Sequence, residues 1–460
     1  MKSVIVSHAH PAISLGGAEI AAHRLFQRLR KDREDAHFVG LNKARGESPG
    51  PFGRFQRVLE MGEGDLCVRT FGMSSDRMEQ NDLAEETWLV DYFADYEADV
   101  YHFHHIWNIG VGTLLRLRKR LPSAKFVCTL HELTAICAHH GQMTKTNSHT
   151  LCHEATPMAC FKCFPDLSPL YFRTRTLRMQ RVLDMFDLLI SPSFFLRDRF
   201  EAWGVPPGRI HVLENGLPES RPAPRDDAEA LEQKSKKFAY FGRATPTKGL
   251  DVLVRATTAL MRRNPELDLT VDVFGVTPEN VEKFWPDLEI PPNLVLKGAY
   301  APADGVSLMR KYGWIVLPSI WWENAPLIFQ EARAAGTPVI SSDIGGMREK
   351  SQAAGLRFPV GDSAALADLM ETLHGNAERL KSYKHSMPKP FTLGEYVARW
   401  RSLVGSASPS GQQRAATASA QSPTMQTLKT GGYAPFIHAS QRTNALTIFH
   451  HIPKTAGSSL

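Results

Sequence analysis

Two glutamates, Glu323 and Glu331, stand with seven residues between them in the segment WIVLPSIWWENAPLIFQEARAAGTPVISSDIGGMRE, Trp314 to Glu349. Each carboxylate can accept two hydroxyl hydrogen bonds, which is what a polyol ligand requires. Some eighty residues earlier, GRATPTKG places Arg243 and Lys248 in one glycine-bearing loop. Arginine offers a rigid fork and lysine a mobile point charge, so the two can converge on one diphosphate. The helix start that follows adds free N–H groups, which favour an anion. Spacing alone does not decide for this chemistry, because solvated acids and exposed basic residues are the commoner fate of these types.

The elements that must position these groups follow from hydrophobic period. Ile315 to Leu317 is a short β-branched run bounded by Pro318 and Ser319. From Pro326 the period becomes helical, with Ile328, Phe329, Ala332 and Ala335 on one buried face. That start puts Glu323 in the loop before the helix and Glu331 about one and a half turns into it. Gly336 stops the helix, Val339 and Ile340 form the next strand, and Gly345-Gly346 make the turn after it. Strand, helix and strand in alternation predict an α/β chain with open parallel sheets, which bind ligands beyond the carboxyl ends of their strands. Phe238 to Phe241 reads as the strand before the basic loop, and a helix runs from Lys248-Gly249 to Met261. Further strands are expected at Leu269 to Phe274 and Leu294 to Lys297, and helices at Val306 to Lys311, Leu366 to His374 and Phe391 to Leu403.

The N-terminal half repeats this grammar. Val4 to Ser7 is a strand, His8 to Gly17 a loop and Ala18 to Leu29 a helix. Gly16-Gly17 lets backbone approach a ligand ahead of that helix, although an ordinary tight turn explains a lone glycine pair equally well. Val100 to His104 and Phe126 to Leu130 are strands that deliver His105, Trp107 and Asn108, then His131 and Glu132, to a cleft. Residues 42–80 show no assignable period. Leu188 to Ser191 is a strand, followed by a helix capped by Ser193. Pro218 to Glu232, rich in Pro, Arg and Asp, reads as a linker.

The Glu323-to-Glu331 spacing, the basic loop, the LGGAE pattern from Leu15 to Glu19 and Glu214-Asn215-Gly216 together resemble retaining glycosyltransferases with two Rossmann-like domains. This is the GT-B, family 4 type, which includes sucrose, trehalose and bacterial mannosyl enzymes. The resemblance covers roughly Lys2 to Val404 and is strongest from Phe238 to Phe358. It implies an N-terminal acceptor-side domain over 1–217 with a cysteine-rich insertion at 137–163. A nucleotide-sugar-binding domain would occupy 218–404. It implies Arg243 and Lys248 on the donor diphosphate, Glu323 on the transferred sugar and Glu331 on the ribose. Gly16, Gly17 and the Gly346 N–H would also contact the donor, and His131 would lie near the sugar. A histidine bonded only to backbone is the plainer reading of His131. Asn324 departs from the family's commoner glycine, which leaves sugar specificity open.

The implied reaction is transfer of a hexose or related sugar to a hydroxyl of a glycan, polysaccharide or lipid-linked acceptor, with retention and front-face attack. Arg243 and Lys248 would stabilise the leaving diphosphate. No Asp-x-Asp pair is evident, so no catalytic metal is called for. A noncatalytic nucleotide-sugar-binding subunit of a polysaccharide assembly complex is the alternative from another class.

Cys137, Cys152, Cys160 and Cys163 fall in one polar segment, the last two as a CxxC pair. Four thiolates can close a tetrahedral structural zinc site, with His139, His140, His149 and His153 as alternates. Unrelated reduced thiols and a redox pair are the competing readings. Leu170 to Asp184 is a helix carrying Arg173, Arg175, Arg178 and Arg181, suited to an anionic lipid surface or to plain solvation.

The chain has 460 residues, enough for two or three domains, and a net charge of +6 that indicates no nucleic-acid partner by itself. The opening apolar stretch is too short for a signal peptide and no run spans a membrane. A cytoplasmic protein with peripheral contact at the inner membrane face is expected. Six cysteines in this length make no disulfide scaffold. Residues 405–444 contain a flexible Ser-, Ala- and Gln-rich linker. The last stretch, 445–460, ends in HHIPKTAGSSL and resembles the opening of sulfotransferase domains. There Lys454, Thr455, Gly457, Ser458 and Ser459 would cradle the 5'-phosphate of PAPS. Only some fifteen residues carry this likeness, so the expectation is a truncated start without sulfotransferase activity, the remnant of a bifunctional protein.

Overall fold

Alternating apolar strands and amphipathic helices assemble two large sheets, parallel but for one edge pair, as the period changes require. The computed structural model describes residues 1–408 except 15, 44–55, 75, 76, 149, 222, 224 and 352–354. Leu15, His149 and the sulfotransferase-like residues Lys454 to Ser459 therefore lie outside the described residues, as does nearly all of 405–444.

Among the described residues the first sheet has eight strands. Their spatial order is Ile210–Val212, Leu188–Ser191, Lys125–Thr129, Val100–Phe103, Ser3–Ser7, Ala36–Lys43, Asp65–Thr70 and Val58–Gly62. All neighbours are parallel except the last pair, in which Val58 opposes Val68 antiparallel. Residues 58–70, without a legible period in the sequence, thus extend the sheet by a hairpin. Val58–Gly62 is a half-exposed edge with no alternating apolar face to give it away.

The second sheet has six strands among the described residues, all parallel. Their order is Leu294–Gly298, Thr270–Phe274, Lys237–Phe241, Trp314–Leu317, Val339–Ser342 and Gly355–Phe358. The order reverses between Lys237–Phe241 and Trp314–Leu317, and a crevice at such a point is where open sheets hold ligands. The basic loop follows the first of these strands and the Glu323 loop follows the other.

Several boundaries differ from the sequence reading. The helix after Glu323 is Ile328–Ala335, so Glu331 sits in its first turn and not one and a half turns in. Gly345-Gly346 is no free turn but opens the helix Gly345–Lys350. The expected linker at 218–232 contains the start of the helix Ala228–Ser235, whose Asp227 cap accepts from the Ala230 N–H. The final helix is Leu393–Ser406, fixed at its start by a reciprocal Thr392–Glu395 capping box. It packs on the first sheet: Tyr396, Val397, Trp400 and Val404 share a core with Ile5, Leu25, Phe38 and Ile190. Chain from the second half thereby completes the first domain.

The arginine-rich helix is Pro169–Asp184, and one of its arginines is not solvated. Arg175 is buried and donates to the carbonyls of Thr134, Ala135 and Ile136. It replaces water for the backbone that leaves the His131 loop. No helix among the described residues is long and apolar enough to cross a membrane.

Candidate functional site

The second domain brings the basic loop and the Glu323 loop together through backbone. Gly249 has φ +69°, and a Cβ there would lie 2.0 Å from the Pro318 carbonyl oxygen, so only glycine allows this approach. The Ile320 N–H donates to the Thr247 carbonyl, 2.9 Å. Lys248 is thereby carried to Glu323, and its Nζ lies 2.5 Å from Glu323 Oε1. Ser319 Oγ and Trp321 Nε1 donate to the same oxygen at 2.9 and 2.8 Å. All three bonds fall on Oε1, leaving Oε2 able to accept a ligand hydroxyl. Burial pushes the Glu323 carboxyl pKa up, but the Lys248 charge and these donors outweigh it and hold the group below its ordinary value.

Glu331 meets the other domain. Its Oε1 lies 4.0 Å from Nη2 of Arg24, on the helix Gly17–Lys31. Burial raises the Glu331 carboxyl pKa and the Arg24 charge opposes that rise. Tyr300 faces the same carboxylate, and burial followed by the Glu331 charge pushes its phenol up to about 12. Nη1 of Arg24 is buried without a partner among the described residues. Arg24 carries no signal in the sequence, because its role depends on contact across some three hundred residues.

Arg243 stands apart. It is exposed and does not share the Lys248–Glu323 cluster. Its charge reaches Glu19 of the first domain, whose carboxyl is raised chiefly by burial and lowered in part by Ser14, His105 and Arg243. Gly17 lies opposite Leu327, with 3.9 Å available to a Cβ, and Gly16 is crowded by the Glu19 carboxylate. The expected donor contact from Gly346 requires correction. Its N–H donates to the Glu323 carbonyl at 2.6 Å, and a Cβ there would lie 1.9 Å from the Asn324 carbonyl oxygen. Gly346 holds the Glu323 loop in place, and its N–H is not available to a ligand.

His131 sits at the end of its strand with its Nε2 2.9 Å from His104 Nδ1. A ligand contact in this arrangement falls to Nδ1. His102 is fixed by Trp400 Nε1, which donates to its Nδ1 at 3.1 Å, and by Thr129 at Nε2. Burial, with the neighbouring histidines, lowers His102 and His131 to about 3 and holds His8 and His104 well below the ordinary range. These rings are neutral at pH 7, so His131 offers a hydrogen bond and no charge.

Acid should therefore destabilise the fold. A histidine whose folded pKa lies below its unfolded value contributes stability above about pH 6.5, lost as pH falls toward the folded pKa. Each such ring contributes a slope of up to about 1.4 kcal/mol per pH unit. Melting by circular dichroism is expected to show Tm falling steadily from about pH 6.5 to about pH 4.5. A Tm constant across that range would contradict the neutral cluster.

The cysteines do not form the expected cage. Cys137 and Cys152 are buried, and Cys160 and Cys163 are half-buried on the helix Pro157–Cys163. Burial raises the Cys160 thiol to about 11, with Cys137, Cys152 and Cys163 adding to the rise, so the sulfurs share one neighbourhood. Cys152 Sγ instead donates to the Glu154 carbonyl, 3.3 Å. Among the described residues, the group of three ligand types whose atoms lie within 4.8 Å of one another is His10, His23 and Asp65. That group does not suit a metal either. His10 Nδ1 accepts from the Ala12 N–H, so its Nε2 carries the proton and donates to Asp65 at 3.0 Å. The four cysteines as placed do not fit a tetrahedral zinc, whose sulfurs must all reach one ion at about 2.3 Å.

None of the acidic or basic cleft residues lines the cavity of about 670 Å³ formed by Asp226, Leu231, His374 and Lys381, so that cavity is separate from the cleft.

Residues 16–216 match the family described as glycosyl transferase 4-like domain, and residues 235–376 match glycosyl transferases group 1. A D-inositol 3-phosphate glycosyltransferase of Corynebacterium efficiens is 27% identical over 294 residues, 60% of this chain and 63% of that protein. That of Rhodococcus erythropolis is 32% identical over 257 residues, 53% of this chain and 52% of that protein. The chain thus spans between half and two thirds of these curated relatives. Anabaena HepE in complex with UDP and glucose superposes with a TM-score of 0.60 at 15% identity, covering 88% of this chain and all of that one. Sucrose-phosphate synthase from Thermosynechococcus elongatus gives 0.63 at 17% identity, with 90% and 100% covered. These likenesses establish the two-domain GT-B fold.

Proposed function

The chain carries a glycosyl transferase 4-like domain followed by a glycosyl transferases group 1 domain in the GT-B fold, and from that premise we propose an enzyme that moves a sugar from a nucleoside diphosphate to an acceptor hydroxyl. The observation that carries the reading is the pairing of each glutamate with a cation where the two central strands of the second sheet end. Glu323 meets Lys248 from the neighbouring loop, and Glu331 meets Arg24 from the opposite domain. In this reading Lys248 turns from Glu323 toward the donor diphosphate, and Arg243 adds charge from the cleft mouth. Glu323 Oε2 accepts a sugar hydroxyl, and Glu331 accepts the ribose hydroxyls. As the glycosidic bond breaks, negative charge grows on the leaving diphosphate, where preorganised cations act most strongly.

Retention rests on the likeness to the retaining family, and front-face attack is the retaining route that needs no covalent carboxylate nucleophile. The departing phosphate then receives the acceptor proton. Neutral His131 donates to a sugar hydroxyl or the leaving oxygen. The acceptor is a hydroxyl of a glycan, polysaccharide or lipid-linked sugar. The reaction belongs in the cytoplasm, with peripheral contact at a membrane. That contact is supported by Leu170 and Leu177, 70% and 59% exposed on the helix that also presents Arg173 and Arg181.

The test is product formation from UDP- and GDP-sugars with a panel that includes glycans, lipid-linked sugars and inositol phosphates, followed by NMR of the new linkage. A product with the donor's anomeric configuration is expected. Donor binding without product across a matched panel would support a binding subunit instead. Glu331→Gln keeps the side-chain shape and removes the charge that ribose hydroxyls would meet. It should weaken UDP binding about tenfold, the loss of one charge-assisted hydrogen bond, while kcat at saturating donor changes little. Calorimetric titration of UDP reads this directly, and parental affinity would remove Glu331 from the ribose site.

A further inference from the structure

We propose that Trp322 and Asn324 are positioning residues that couple closure of the two domains to the placement of Glu323. The proposal rests on the reading of Glu323 as the sugar contact. Both side chains flanking Glu323 are bonded to the opposite domain. Trp322 Nε1 donates to the Cys152 carbonyl, 3.1 Å, and Asn324 Nδ2 donates to the His131 carbonyl, 3.0 Å. The Trp322 ring stacks on Phe195, with centroids 5.6 Å apart and planes 21° from parallel. The Arg199 guanidinium lies 4.2 Å from its centroid, and the His153 ring meets it edge-on at 5.2 Å. A cation over an indole face adds to the hydrogen bond and fixes the ring plane. Phe195 is tied back in turn, its N–H donating to Glu349 Oε2 at 2.8 Å.

Glu323 itself is gripped by its own domain. Its N–H donates to the Trp321 carbonyl at 2.9 Å and its carbonyl accepts from Gly346 at 2.6 Å. Three consecutive residues are therefore held alternately, the outer two by the first domain and the middle one by the second. Any relative movement of the domains pulls on both neighbours of Glu323. The carboxylate reaches the sugar position only when both outer anchors are engaged. A misplacement of about 1 Å at a reacting centre can cost about 100-fold in rate, so such a linkage is functionally steep. Tying the contact to closure also ties reaction to exclusion of water, the use to which enzymes put closing segments.

The same contacts give the cysteine-rich insertion a role that needs no metal. Cys152 is pinned by its N–H to the Met143 carbonyl, 2.7 Å, and by its thiol to the Glu154 carbonyl. Its own carbonyl is thus fixed where the Trp322 indole arrives. The insertion is a platform for the donor loop.

Two substitutions in the full chain test this. Trp322→Phe retains a stacking ring and loses the indole N–H, and Asn324→Ala loses the amide. Three quantities are read: the UDP dissociation constant by calorimetry, release of UDP from UDP-glucose, and hydrogen exchange of residues 319–327 with UDP bound. Each variant is expected to lose about tenfold or more in kcat, a fraction of what full misplacement costs. UDP affinity should stay within about twofold, because Lys248 and Glu331 are untouched, and the 319–327 segment should exchange faster. Exchange at the parental rate, or a UDP affinity that falls in step with kcat, overturns the proposal. If the parent protein forms no product and releases no nucleoside diphosphate from UDP- or GDP-sugars with the acceptor panel, the transferase reading fails, while the exchange measurement still decides whether the anchors act.

Discussion

Glu323→Gln should lower kcat about 100-fold, near the cost of removing one preorganised electrostatic contact at a reacting centre. The amide is close in shape and keeps an oxygen for the Ser319 and Trp321 donors, so the loop should hold its conformation. What disappears is the charge, and with it the strong acceptor at Oε2 for a sugar hydroxyl. UDP affinity should hold or rise slightly, since Lys248 no longer has Glu323 as a charged partner and is released toward the diphosphate. The split between kcat and affinity is what identifies a sugar contact. Turnover within about threefold of the parent at saturating donor would place Glu323 outside the reacting site.

Lys248→Ala should be more damaging still, because it removes two things at once. Diphosphate stabilisation is lost, at a cost of roughly 3 kcal/mol in the transition state. Glu323 also keeps its burial without its counter-charge, and breaking such a pair from one side costs up to about 3 kcal/mol of stability for a partner this enclosed. Lys248 retains 29% of its side-chain exposure, which tempers the second cost. The two losses separate in a double variant. Lys248→Ala with Glu323→Gln should regain much of the lost Tm, since no buried charge remains unpaired, while activity stays low. A double variant no more stable than Lys248→Ala alone would mean that the ion pair does not govern the stability of this loop.

The sequence made the second domain legible for a physical reason. Its central strands Trp314–Leu317 and Val339–Ser342 are buried on both faces and the helix between them is one-sided, so the period switches cleanly at Pro318 and again at Gly336. The glutamate spacing could be read because both residues lie in one short segment. Legibility failed where a role depends on remote contact. Arg175 looked like any other arginine of a basic helix, yet it serves three carbonyls some forty residues away. The N–H of Gly346 looked free, and only the approach of the Glu323 loop shows it taken. Arg24 carried no pattern at all. The late start of the helix at Ile328 was hidden because the apolar period continues through Leu327, which belongs to the preceding turn. The Asp227 cap, by contrast, is a readable signal, masked in the sequence by the surrounding proline and arginine.

In the proposed site Lys248, on the basic loop, and Glu331, in the first turn of the helix Ile328–Ala335, are brought together only by folding and hold one nucleoside diphosphate. Calorimetric titration of UDP and GDP into the parent and into a Lys248→Ala, Glu331→Gln double variant tests this most directly. One nucleotide should bind at one site per chain, with affinity lost by about 100-fold or more in the double variant, as two charge-assisted contacts of about 1.5 kcal/mol each would give. Parental affinity in a folded double variant would mean that Lys248 and Glu331 do not form the nucleotide site.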